Sequence, residues 1–152
     1  MRILAIDPGI NGGLALLSND GLLVESMPTL SVNGKSRINL ASFQALMGSW
    51  LPKEAVIETQ QSMPGQGVSS SFRIGFNYGV LIGALHGWII PVTEVRAAVW
   101  KKALGVPSNK DAARHRAAQL FPDHSVSFAK KSSDGLAEAA LIAYYYQKKF
   151  SN

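Results

Sequence analysis

Asp7 closes the apolar run Ile3-Leu4-Ala5-Ile6 and is followed at once by Pro8-Gly9 and then Gly12-Gly13. A short apolar run of this kind reads as a buried strand, so a carboxylate sits at its tip with a glycine turn alongside. Val56-Ile57-Glu58 repeats the arrangement, and a further acidic pair, Asp134 and Glu138, lies in the last helical pattern. Carboxylates delivered to element ends by separate segments are how a magnesium site is built, with hard oxygen donors around a hard cation. Each acid also has a plainer role. Asp-Pro-Gly is good turn chemistry, so Asp7 could simply begin a type I turn. Glu58 could be an ordinary exposed acid. Asp134 could cap the last helix, a role that stabilises by ~1 kcal/mol. Glu138, four residues on and on the same helix face, could reach the same ion or be a solvated helix acid. His86, His115 and His124 lack metal-ligand spacing and read as surface or core residues, His124 lying in a basic loop.

The elements that must position these acids can be read in order. Arg2 to Ile6, Leu14 to Leu17 and Leu22 to Met27 are predicted strands, and Asn19-Asp20-Gly21 supplies a hairpin turn between the last two. The polar stretch Thr29 to Asn39 reads as an exposed loop, ahead of a helix carrying Leu40, Phe43, Leu46, Met47, Trp50 and Leu51. Ala55 to Glu58 is a fourth strand, Gln60 to Gly67 a loop, and about Ser69 to Leu85 a helix. Gly75, Gly79 and Gly83 recur on that helix every four residues; glycine costs ~1 kcal/mol per helix position relative to alanine, so the row predicts close packing against another helix or the sheet. Ile89 to Val92 with Val95 predicts a fifth strand, and Pro91 favours an edge or a strand start. Helices come next at Ala97 to Leu104, at Asp111 to Leu120 with Ser108 or Asn109 as cap, and at Asp134 to Tyr146, where Leu136, Ala140, Ile142 and Ala143 form an inward face.

Bulk properties narrow the class. With 152 residues, 47% of them hydrophobic, one domain spanning 1–152 is expected, with no internal repeat. Without cysteine, neither a disulfide framework nor a zinc-thiolate site is available. No membrane span or signal peptide is read, so a cytoplasmic protein is expected. All of the net positive charge of +5 falls between residues 96 and 131, where Arg96, Lys101, Lys102, Lys110, Arg114, Arg116, Lys130 and Lys131 stand against Asp111 and Asp123. A basic stretch beside an acidic cluster suits a polyanion held electrostatically; a solvated helix face is the alternative.

Ile6-Asp7-Pro8-Gly9, Val56-Ile57-Glu58, the Gly105-to-Lys110 segment and Asp134-Gly135-Leu136-Ala137-Glu138-Ala139, in this order of elements, resemble the RuvC-type Holliday-junction resolvases of the ribonuclease H-like superfamily. The resemblance spans nearly the whole chain and is nearer to phage or prophage members than to chromosomal bacterial enzymes. It implies an α/β fold with a mixed five-stranded sheet, three antiparallel strands then two parallel, flanked by helices. It implies a homodimeric endonuclease, dependent on divalent metal, that nicks four-way DNA junctions on two opposed strands. Asp7, Glu58, Asp134 and Glu138 are then the catalytic, metal-binding acids. Asp7 would be shared between two Mg2+ ions, for which Mn2+ could substitute. Lys110, Arg114, Lys131, Lys102, Arg73 and Gln61 become expected DNA contacts. Two positions depart from the family. Lys131 stands where many members carry an acid or histidine, so either Glu138 supplies the missing ligand or Lys131 contacts the scissile phosphate. Gln61 and Met63-Pro64 come after Glu58 where an aromatic wedge is usual, which leaves Phe72, Phe76 or a loop residue to open the junction.

Two other classes remain readable in the residues. The Asp7 turn also resembles the first phosphate loop of actin-like and sugar-kinase ATPases, which need a second such domain for which 152 residues leave no room. A catalytically silent branched-DNA-binding protein, with Lys131 marking lost activity, is the other.

Overall fold

A computed structural model describes residues 1–150; the final two residues of the expected domain lie outside the described residues. Strands β1 (Arg2–Asp7), β2 (Gly13–Ser18) and β3 (Gly21–Ser26) form an antiparallel meander, and β6 (Glu54–Glu58) and β7 (Val92–Val95) add in parallel, giving the order β3-β2-β1-β6-β7. This is the mixed five-stranded sheet that the resemblance implies. Asn19-Asp20 makes the two-residue turn, with Ser18 paired to Gly21. Pro91 precedes the outermost strand, where its missing N–H costs the sheet little.

Each face of the sheet has its own core. Ile3, Ala5, Ala15, Leu17 and Val56 point to one side, under α3 (Ala97–Leu104), α4 (Lys110–Leu120) and α5 (Asp134–Phe150). Leu4, Ile6, Leu14, Leu16, Ala55 and Ile57 point to the other, under α1 (Leu40–Trp50) and α2 (Val68–Gly87). Strand alternation decides where the two strand-end acids point. Asp7 continues the Ile3-Ala5 side and Glu58 the Val56 side, so both acids emerge beneath α5. The face predicted for α5 is too narrow. Its residues 137–143 are all buried, as befits a helix crossing the middle of the sheet, and Leu136 is only partly covered.

Three further expectations are corrected. Residues 29–38 are not a loop but a hairpin of β4 (Thr29–Val32) and β5 (Lys35–Ile38), separate from the main sheet. Asn33 (φ 51) and Gly34 (φ 72) supply the two left-handed residues of a tight hairpin turn. Ile89 and Ile90 belong to the turn that closes α2, not to β7: their N–H groups bond His86 and Leu85 carbonyls at 2.9 and 3.0 Å. Nor does anything among the described residues pack on the α2 glycines, because a Cβ at Gly75, Gly79 or Gly83 would meet no atom beyond the helix's own backbone within 4 Å. No helix among the described residues is long and apolar enough to cross a membrane.

Candidate active site

The parallel register pairs Ile6 with Ile57, so the next residues, Asp7 and Glu58, end neighbouring strands side by side. Strands so paired lie about 4.8 Å apart, too close for two carboxylates to ignore each other. Burial, then the charges of Glu138 and Glu58, push the Asp7 carboxyl up to about 7, against the opposing pull of the Gly9 backbone N–H and Lys110. Glu58 is raised as well, chiefly by burial, with Glu138 adding to the effect and a hydrogen bond from Trp100 opposing it.

Backbone contact brings the last helix to this point. Gly12, in the turn after β1, and Gly13, the first residue of β2, meet Gly135 in the first turn of α5. A Cβ on Gly135 would stand 2.4 Å from the Gly12 carbonyl carbon, and one on Gly13 would stand 2.6 Å from the Gly135 backbone. Only glycine permits that approach, and it sets Asp134 and Glu138 over the Asp7 turn.

The structure gathers Asp7, Glu58 and Glu138 into one electrostatic group. Glu138 is 7% exposed and takes a hydrogen bond from Lys101 Nζ at 3.0 Å, which removes the alternative of a solvated helix acid. Asp134 is already helical (φ −53, ψ −46), and its carboxylate bonds the Arg114 guanidinium, with Lys110 Nζ 3.9 Å away, instead of capping α5. Arg114 also bonds Asp111. As the side chains stand, no three histidine, aspartate or glutamate residues among those described converge enough to hold a metal ion. Glu138 and Asp134 are paired instead with Lys101 and Arg114. The chemistry of the donors nevertheless suits a divalent cation, being oxygen-only, crowded and mutually repelling about a partly buried Asp7.

The expected DNA contacts fall in three places. Lys102, Lys110 and Lys131 are exposed on the α3–α4–α5 side. Arg114 is engaged by the two aspartates. Arg73, on α2, lines a groove of about 540 Å³ between the Asp7 turn (Pro8 to Asn11), the β4–β5 turn and α2, while Gln61 is exposed on the loop after β6. Asn77 ties this wall together by accepting the Ile38 N–H at 3.3 Å. Sequence reasoning missed Trp100 and Lys101, which hold Glu58 and Glu138, as well as Gly135. Lys101 was visible only as one charge among many, and a buried tryptophan carries no local sign of its partner.

No protein-family profile matches the sequence, and no curated protein matches it significantly. Solved structures do match. Thermus thermophilus RuvC in complex with a Holliday junction substrate superposes with a TM-score of 0.64 at 17% identity, over 99% of this chain and 98% of that one. The yeast mitochondrial Holliday junction resolvase Ydc2 gives 0.59 at 16% identity, over 97% of this chain and 78% of that one. The fowlpox virus Holliday junction resolvase gives 0.57 at 14% identity, over 98% and 99%. This chain, an α/β protein with a mixed sheet in the order β3-β2-β1-β6-β7 and flanking helices, therefore has the fold of these RuvC-type Holliday-junction resolvase structures.

Proposed function

We propose that the chain is a divalent-metal-dependent DNA endonuclease that resolves four-way junctions by paired nicks. One observation carries the reading: within a resolvase fold, Asp7 and Glu58 end adjacent parallel strands on the side covered by α5, where Glu138 raises the charge density about them. Bound Mg2+, or Mn2+ in its place, would activate a water and stabilise the leaving 3′-oxygen in an in-line attack on a phosphodiester. Asp7, with Glu58 beside it and with Asp134 and Glu138 from α5, would hold the metal. Lys110, Lys102 and Lys131 are set to grip backbone phosphates and hold register without reading sequence, with Arg73 on the groove wall and Gln61 on the loop after β6. Arg114 joins them once it leaves Asp134. Phe72 and Phe76, stacked at 6.2 Å between centroids and exposed on α2, supply the aromatic surface missing after Glu58. Paired nicks on a two-fold substrate need two sites, so a homodimer is part of the proposal. Such work on DNA belongs in the cytoplasm of the cell that holds the junction.

The test is direct. Labelled four-way, three-way and linear duplex DNA are incubated with the purified chain in Mg2+, Mn2+ or EDTA. Symmetric nicks on opposed strands of the four-way junction, requiring metal, are expected. Tight junction binding with no nicks in either metal would instead make the chain a silent branched-DNA-binding protein.

A further inference from the structure

Trp100 is the largest fully buried side chain of the α3 side, at 0% exposure. A buried indole N–H needs an acceptor, and most find a neutral one. This one donates to Glu58 Oε2 at 2.7 Å, a charge-assisted bond formed by residues far apart in sequence. No other side chain among the described residues bonds the Glu58 carboxylate, so Oε1 is left for another partner. The next residue of α3, Lys101, lies over the Trp100 ring at 5.1 Å and bonds Glu138. One turn of one short helix therefore touches two of the acids.

We infer that Trp100 is a positioning residue for the proposed metal site: its indole N–H pins one oxygen of Glu58, so that the other is presented toward Asp7 in a single orientation. The inference rests on the metal-dependent nuclease reading and deepens it. A glutamate side chain has three rotatable bonds, and one sitting among like charges swings away from them unless something holds it. The backbone of β6 positions only its Cα. The indole supplies the remaining constraint without touching DNA, and as a neutral donor it adds no charge to the site. Partners of this kind, behind the ligands themselves, set metal affinity, and their loss costs roughly 10- to 100-fold.

Trp100→Phe keeps most of the buried ring and removes the donor. Mn2+ binding is measured by calorimetry on the full chain, free and with junction DNA carrying uncleavable linkages. Binding should weaken roughly 10- to 100-fold, and cleavage should need correspondingly more metal yet recover at saturation, while junction binding in EDTA stays unchanged. Combined with Glu58→Gln, the Trp100→Phe change should cost no further metal affinity, because both act through one carboxylate. Should the phenylalanine variant fold poorly, a benzothienyl-alanine at position 100, which differs from tryptophan only at the donor atom, gives the same comparison on an isosteric ring. Unchanged Mn2+ affinity in a folded variant would overturn this inference alone. A wild-type chain that binds no Mn2+ with or without DNA would overturn the metal reading and the inference together.

Discussion

Asp7 shows at the scale of one residue how a site sets function against stability. Its carboxyl stands at about 7 in the fold against 3.8 as its ordinary value, so the folded state holds a proton that the unfolded chain gives up. Linkage gives the sign: where the folded state binds more protons, stability falls as pH rises. With respect to this group the metal-free protein should thus be most stable below its ordinary value of 3.8 and lose stability steadily from there to about 7, by at most roughly 4 kcal/mol. Asp7→Asn should abolish cleavage, leave junction binding intact or tighter, and flatten this pH dependence. Urea unfolding in EDTA at pH 5 and pH 8 checks the last point, and equal loss of binding and cleavage would point to a folding role instead. Glu138 gives a second contrast. Buried and paired with Lys101, it is more than a surface acid. Glu138→Gln, which keeps an acceptor for Lys101, should cut the cleavage rate by orders of magnitude. Exposed Lys131, changed to Ala, should mainly weaken DNA binding, with a shallower salt dependence. Glutamine rates within a few-fold of wild type would leave Asp7, Glu58 and Asp134 as the whole acidic site.

At the scale of elements, the contact between the β1–β2 turn and the first turn of α5 matters most. Two backbones meet there with no room for a methyl group on Gly13 or Gly135. Gly135→Ala should therefore push α5 away from the Asp7 turn. The neighbours are backbone atoms that cannot swing aside, so the change should cost stability and nearly all cleavage together, read by thermal unfolding and the nicking assay. Alanine at Gly105 is a useful contrast, since that residue has φ 64 and open space around it: any cost there comes from backbone strain alone. Sequence patterns located most elements because burial repeats every two residues in strands and every three to four in helices. The β4–β5 hairpin was legible too, in Asn33-Gly34, but the polar composition of residues 29–39 hid strands that bury almost nothing except Ile38.

For the whole molecule, the open question posed by the chain is what covers α2. Gly75, Gly79 and Gly83 sit on an exposed face beside Phe72 and Phe76, and nothing among the described residues fills the space above them. If that face joins two copies, alanine at Gly79 should weaken self-association. If it stays in solvent, the same change should stabilise a monomer by up to ~1 kcal/mol through helix propensity alone. Sedimentation at micromolar concentration, with and without junction DNA, combined with urea unfolding, separates the outcomes. A dimer that dissociates in Gly79→Ala is expected.

The sequence by itself determined which acids end which elements. Those features are local, since a two-residue period and an acid after an apolar run can be read within a few positions. Only the tertiary structure decided what each acid touches. Glu58 meets Trp100 across 42 positions, Glu138 meets Lys101 across 37, and Asp134 meets Arg114 across 20. No local period encodes such pairs; they arise because α3 and α4 pack against α5 over the same face of the sheet that bears the acids. That packing made Arg114 a partner of Asp134, where its charge alone had suggested a phosphate contact, and it turned a helix acid expected to be as easily solvated as functional into a buried one.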